Sequence, residues 1–127
     1  MNTPESKEMY LETIYLLRSR GARTKAVDVA AELGFSRPSV SNAVKKLQAM
    51  GLIYIDKNRE LALTDEGNEI AMSTYDRHCV ITDLLVAIGA DRRLAADNAC
   101  RIEHIISEDL FKVLKDYDKK IKQEEEK

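Results

Sequence analysis

The chain is poor in the residues that staple a fold or anchor it. It has 127 residues and two cysteines, Cys79 and Cys100. Two are too few to staple a secreted scaffold of this size, so free thiols in a reducing cytoplasm are expected. A Cys79–Cys100 disulfide is the less favoured alternative. The longest apolar run, residues 84–88, is far too short to span a bilayer, and no membrane association is expected. The opening residues lack the basic and apolar regions of a secretory signal. Internal repeats and low-complexity linkers are missing as well. Cys100 and His104 offer a nucleophile–base pairing, but they share one helix face with no Gly-rich loop or oxyanion motif nearby. A catalytic role is therefore not expected.

Charge is nearly balanced overall, at −2, which does not by itself suggest nucleic acid. The average hides an asymmetry. Residues 1–62 carry 10 Lys/Arg against 7 Asp/Glu, a net of +3, and residues 63–127 carry 10 against 15, a net of −5. Five basic residues (Arg37, Lys45, Lys46, Lys57, Arg59) fall within residues 36–59 against Asp56 alone. Such a local patch can meet phosphate on a mildly acidic protein.

The few prolines and glycines punctuate the chain. Thr3 and Pro4 predict the start of a helix that stops before Gly21, with Leu11, Ile14, Tyr15 and Leu17 on its core face. Thr24 is expected to cap a second helix whose stripe is Val27, Ala30 and Leu33, ended by Gly34. Ser36 caps a third, with Pro38 in its first turn, where a missing N–H costs nothing. Val40, Val44 and Leu47 repeat at helical spacing, and Gly51 closes it. Two short helices around a tight Gly-containing turn describe a helix-turn-helix. A plain helical packing hairpin is the competing reading. The outer face argues against it, because Arg37, Ser39, Ser41, Asn42, Lys45 and Lys46 suit phosphates and base edges.

Residues 52–55 and 61–63 read as two strands around a polar turn that holds Lys57 and Arg59, a wing whose basic tip would lie along a DNA backbone. Thr64 caps a long helix ending at Gly89. Asp91 caps the next, and Ser107 a last one, after which residues 119–127 read as a frayed charged tail. The apolar surface of these C-terminal helices exceeds what one small winged domain can cover, so a homodimer interface is expected.

Cys100, Glu103 and His104 stand at i, i+3 and i+4, on one helical face. Thiolate, carboxylate and imidazole there could converge on one divalent cation, which would need further ligands from elsewhere, the first helix among them. The plainer reading keeps Cys100 as a small buried hydrophobe and the other two as solvated residues. His78 alone reads as a structural histidine, Met9 as core filler and Glu12 as a solvated charge.

Several motifs occur together and in order: EMYLETIY at residues 8–15, SRPSVS at 36–41, LT at 63–64 and CRIEH at 100–104. In these the chain resembles the diphtheria toxin repressor family of metal-dependent transcriptional repressors, over nearly its whole length. The resemblance implies a mainly α protein with an N-terminal winged helix-turn-helix domain, residues 1–63, and an α-helical metal-binding and dimerisation domain, residues 64–127. It implies a homodimeric, metal-activated repressor bound to a double-stranded DNA operator and controlling metal homeostasis genes.

Met9, Cys100, Glu103 and His104 match the primary metal site of the iron-responsive branch. Glu12 resembles the manganese-responsive branch, and His78 matches a ligand position in both. The manganese branch would carry an acidic residue at position 9 and Glu at position 100. Thr82 and Ala96 fall where the iron branch has ancillary ligands, and the SH3-like domain of longer members is expected to be absent. Ser36, Pro38 and Asn42 fall where family members meet bases. Fe²⁺ is the expected metal and Mn²⁺ the second choice, with Co²⁺, Ni²⁺ or Zn²⁺ admitted in vitro. The alternative is a winged-helix regulator that senses a small molecule or redox state without metal.

Overall fold

The computed structural model describes residues 4–125. Six helices and one hairpin follow in the order α1 (Pro4–Ser19), α2 (Ala26–Leu33), α3 (Arg37–Ala49), β1 (Ile53–Ile55), β2 (Leu61–Leu63), α4 (Asp65–Ala87), α5 (Arg92–Ile102) and α6 (Glu108–Glu125). They form two compact units, Met1–Ser73 and Thr74–Lys127, and the division falls inside α4. Among the described residues no helix is long and apolar enough to cross a membrane.

In the first unit α1 buries Leu11, Ile14 and Leu17, and Tyr10 joins them. The cap assigned to Thr3 lies outside the described residues. Val40, Val44 and Leu47 of α3 pack into the same core with Val29 of α2. Each fully buried Leu or Ile contributes about 1.5–3 kcal/mol relative to exposure. Gly34 ends α2 at φ +72°, the left-handed region that glycine enters without a Cβ penalty, and its N–H donates to the Ala30 carbonyl at 2.9 Å. Ser36 caps α3 as expected, its Oγ accepting from the Ser39 N–H at 3.3 Å.

Two details of α2 depart from the sequence reading. Thr24 is not the cap. Lys25 takes that place, and its N–H donates to Oδ2 of Asp28 at 3.0 Å. Thr24 is buried instead and donates its hydroxyl to the Leu61 carbonyl at 2.8 Å. Val27 is 42% exposed while Val29 is fully buried, so the inward stripe is Val29, Ala30 and Leu33, with Leu33 four positions on from Val29 and three from Ala30.

The hairpin is antiparallel, with Ile53 opposite Leu63 and Ile55 opposite Leu61. Its turn is built on Asp56. Oδ1 accepts from the N–H groups of Asn58, at 2.8 Å, and Glu60, at 3.0 Å. Arg59 sits at φ +63°, a conformation uncommon for a side-chain-bearing residue. Leu52, expected in the strand, precedes it and is buried beneath the start of α4.

In the second unit Asp91 caps α5, its Oδ1 accepting from the N–H groups of Arg93 and Leu94. The Ser107 hydroxyl caps α6 by accepting from Leu110 N–H. The charged stretch expected to fray is helical over residues 119–125, where α6 continues to Glu125, and its last two residues lie outside the described ones. Lys122 holds it, with Nζ 2.8 Å from Oδ2 of Asp83 on α4 and 3.0 Å from Oδ2 of the buried Asp118. These two carboxylates keep the ammonium charged well above its usual range. Cys79 and Cys100 are not joined in a disulfide.

Candidate metal centre and nucleic-acid interface

The helical backbone of α5 runs one residue past its last assigned position, with Glu103 at φ −59°, ψ −25°. That continuation keeps Cys100 and Glu103 on one face, as their spacing predicts. Glu103 turns inward and is 1% exposed. A buried carboxylate is costly unless it is paired. Two imidazoles meet it. Oε2 lies 2.9 Å from Nδ1 of His78 on α4, and Oε1 lies 3.3 Å from Nε2 of His104 in the following turn. Sγ of Cys100 stands 3.7 Å from the same His78 nitrogen.

One nitrogen, one sulfur and one carboxylate oxygen, from His78, Cys100 and Glu103, thus lie within 4.8 Å of one another. Donors around a tetrahedral ion at about 2.0–2.3 Å stand roughly 3.3–3.8 Å apart, so only small adjustments separate this cluster from coordination. The donor chemistry also fits, because imidazole, thiolate and carboxylate together suit a first-row divalent ion. His104 adjoins the cluster through Glu103. Met9 and Glu12 belong to α1 of the other unit, and both are half-buried. Thr82, at a position expected to lack ancillary ligands, carries a buried hydroxyl.

The ten residues picked for DNA contact all lie on the surface of the first unit. Ser36, Arg37, Pro38, Ser39, Ser41, Asn42, Lys45 and Lys46 are exposed at the start and along the outer face of α3, and Lys57 and Arg59 are exposed in the hairpin turn. An open pocket of about 500 Å³ lies beside that face. It is lined by Ser36, Ser39, Asn42 and Lys46, and also by Ser6, Tyr10 and Phe35. Tyr10 and Phe35 meet edge to face with centroids 5.9 Å apart, a favourable geometry for the aromatic quadrupoles. Burial pushes the Tyr10 phenol up. The sequence reading missed both rings, although Phe35 between Gly34 and the cap Ser36 was a usable signal.

Family models match on either side of the hairpin's end. Residues 2–61 match the iron dependent repressor N-terminal DNA binding domain, and residues 64–126 match the iron dependent repressor metal binding and dimerisation domain. The chain belongs to the iron-dependent repressor family. Members are metal-dependent, DNA-binding transcriptional repressors rather than enzymes.

Among curated relatives, this family member is 36% identical over 117 residues to the diphtheria toxin repressor of Corynebacterium diphtheriae, covering 88% of this chain and 52% of that protein. It therefore spans about half the length of that relative. It is 32% identical over 120 residues to an uncharacterized HTH-type transcriptional regulator of Methanocaldococcus jannaschii, covering 93% and 96% of the two chains. The solved structure of the manganese regulator SloR superposes with a TM-score of 0.77 at 30% identity, over 87% of this chain and 52% of that one. The winged helix-turn-helix followed by a helical metal-binding domain is thus a shared architecture.

Proposed function

We propose that this repressor is activated by Fe²⁺, with Mn²⁺ as the second choice, and that it represses metal homeostasis genes as a cytoplasmic homodimer. Residues 1–63 bind the DNA operator. Residues 64–127 hold the metal and dimerise. The observation that carries this reading is the buried Glu103 carboxylate flanked by His78, His104 and Cys100.

Cys100, Glu103, His104 and His78 are the metal ligands of this reading, and the family resemblance adds Met9 and Glu12. A bound cation would supply a Lewis-acidic charge that ties donors on separate helices together. Thioether and thiolate donors are softer than the all-oxygen sets that suit Mn²⁺, which favours Fe²⁺. Co²⁺, Ni²⁺ and Zn²⁺ satisfy the same donors in vitro, so metal availability sets the physiological ligand. Moving a DNA-binding equilibrium from 1:99 to 99:1 takes a differential of about 5.5 kcal/mol. Metal sites of roughly 10 kcal/mol or more are ample for that.

On the DNA side, Ser36, Pro38 and Asn42 read bases, with Ser39 and Ser41 beside them. Arg37, Lys45, Lys46, Lys57 and Arg59 meet phosphates. Dimerisation would use the apolar cleft of about 380 Å³ lined by Ile81, Leu84, Leu85, Ile88, Ile102, Leu114, Tyr117 and Ile121. Ile88 and Tyr117 at its edge are 80% and 57% exposed, an arrangement suited to a self-complementary contact.

Selection from a random duplex pool tests this function. With Fe²⁺ held anaerobically, the chain should enrich a two-fold symmetric site whose half-sites are about one helical turn or a multiple apart. A chelator should abolish the enrichment. Recovery of the same site in chelator would leave a DNA-binding protein without a metal signal.

A further inference from the structure

The residue before His78 holds the same segment from its other side. Nη1 of Arg77 donates to the Ile106 carbonyl at 2.8 Å and to the Glu103 carbonyl at 3.3 Å. The guanidinium carbon lies 5.3 Å from the centroid of the Phe111 ring on α6. Consecutive residues of α4 therefore grip Glu103 twice, His78 at its carboxylate and Arg77 at its carbonyl.

Both carbonyls lie past the end of α5, where helical hydrogen bonds give out and acceptors need outside donors. The turn itself closes on the Ile102 carbonyl, which accepts from the N–H groups of Ile105 and Ile106, each at 3.1 Å. A guanidinium there also opposes the negative end of the α5 dipole. Its aromatic neighbour adds a cation–π contact and fixes where the cation can sit.

We infer that Arg77 is a positioning residue for the metal centre: it fixes the turn of residues 103–106 so that Glu103 and His104 present their donors together. This rests on the metal reading above. Arg77 touches no donor atom in the contacts described. It acts through the backbone that carries two of them, as outer partners of metal ligands do elsewhere.

The matched control is Lys115. Its Nζ lies 2.6 Å from Oδ2 of Asp76 and 6.0 Å from the same Phe111 ring centroid. It therefore links α4 to α6 beside the same ring. The full chain as wild type, Arg77→Met, Arg77→Lys and Lys115→Met is stripped of metal. Co²⁺ affinity is then read by chelator competition and Co²⁺ coordination by its visible absorption. Amide hydrogen exchange at Ile105 and Ile106 is followed without metal.

Arg77→Met should bind Co²⁺ about 10–100-fold more weakly, the range for loss of an outer partner. Its absorption bands should shift and the two amides should exchange faster. Arg77→Lys, which keeps a charge and donors but not the planar ring contact, should recover part of the affinity. Lys115→Met should match wild type in all three readouts. If Arg77→Met melts earlier yet keeps wild-type affinity and spectrum, Arg77 is merely structural and the inference is overturned. If wild type itself takes up no Co²⁺, the metal reading falls, and the positioning role falls with it.

Discussion

Thr24 and Leu61 bind each other reciprocally. The Thr24 hydroxyl donates to the Leu61 carbonyl at 2.8 Å, and the Leu61 N–H donates to the Thr24 carbonyl at 2.9 Å. The loop that enters the helix-turn-helix is thereby fastened to the second strand of the wing. Arg18 closes the joint from α1, with Nη1 3.1 Å from the Leu61 carbonyl and 3.4 Å from Oδ2 of Asp56. Thr24→Val keeps the branched shape and removes the hydroxyl. Chemical denaturation should show a loss of about 0.5–1.5 kcal/mol, the net worth of one hydrogen bond. An unchanged midpoint would mean the backbone pair alone holds the wing.

Asp56 gives the wing a pH dependence. The Glu60 N–H, then those of Asn58 and the Arg18 side chain, hold its carboxyl below the ordinary 3.8, with desolvation opposing them. A depressed folded-state pKa gives stability that is present above the unfolded value and lost as pH falls through the folded one. Asp56→Asn should therefore lower the denaturation midpoint at neutral pH and flatten its fall below about pH 4. Parallel acid profiles for the two proteins would remove Asp56 from the account.

Gly67 is fixed by a close approach rather than by its dihedral angles. A Cβ there would run into the Leu52 carbonyl, which already accepts from the Thr64 N–H at 3.1 Å. The obstacle is backbone, so it cannot swing aside. Gly67→Ala should destabilise the chain by roughly 1–3 kcal/mol, as overpacking does. Helix propensity alone would predict a gain of about 1 kcal/mol, so thermal melting decides between the two even by the sign of its shift.

Metal preference should follow the donors at positions 9 and 100. Changing Met9→Asp and Cys100→Glu together replaces thioether and thiolate by carboxylates, which should move selectivity from Fe²⁺ toward Mn²⁺. Paired anaerobic titrations read the ratio of the two affinities. An unchanged ratio would remove Met9 and Cys100 from the ligand set.

Legibility in the sequence varied with how local each signal was. Helix α3 was readable because Ser36, Pro38, Gly51 and the spacing of Val40, Val44 and Leu47 all agree. Thr24 was misread because a cap and a cross-strand donor call for the same hydroxyl, and only the fold says which acceptor is near. The end of α6 was obscured by its charges, since the partners of Lys122 include Asp83, which is 39 positions away. At the candidate metal centre the one-face spacing of Cys100 and Glu103 was local and visible. The approach of His78 across 25 positions is set by helix packing, and no local periodicity encodes it. Resemblance to a family supplied His78, and Arg77 had no such signal.

The most direct test is an anaerobic titration of the metal-stripped chain with Fe²⁺ and, separately, Mn²⁺, reading affinity and ions per chain. Saturable binding of Fe²⁺ in preference to Mn²⁺, lost in Glu103→Gln, is the predicted result. Absence of saturable binding of either ion would contradict the account and leave the buried Glu103 with His78 and His104 as a structural hydrogen-bond cluster.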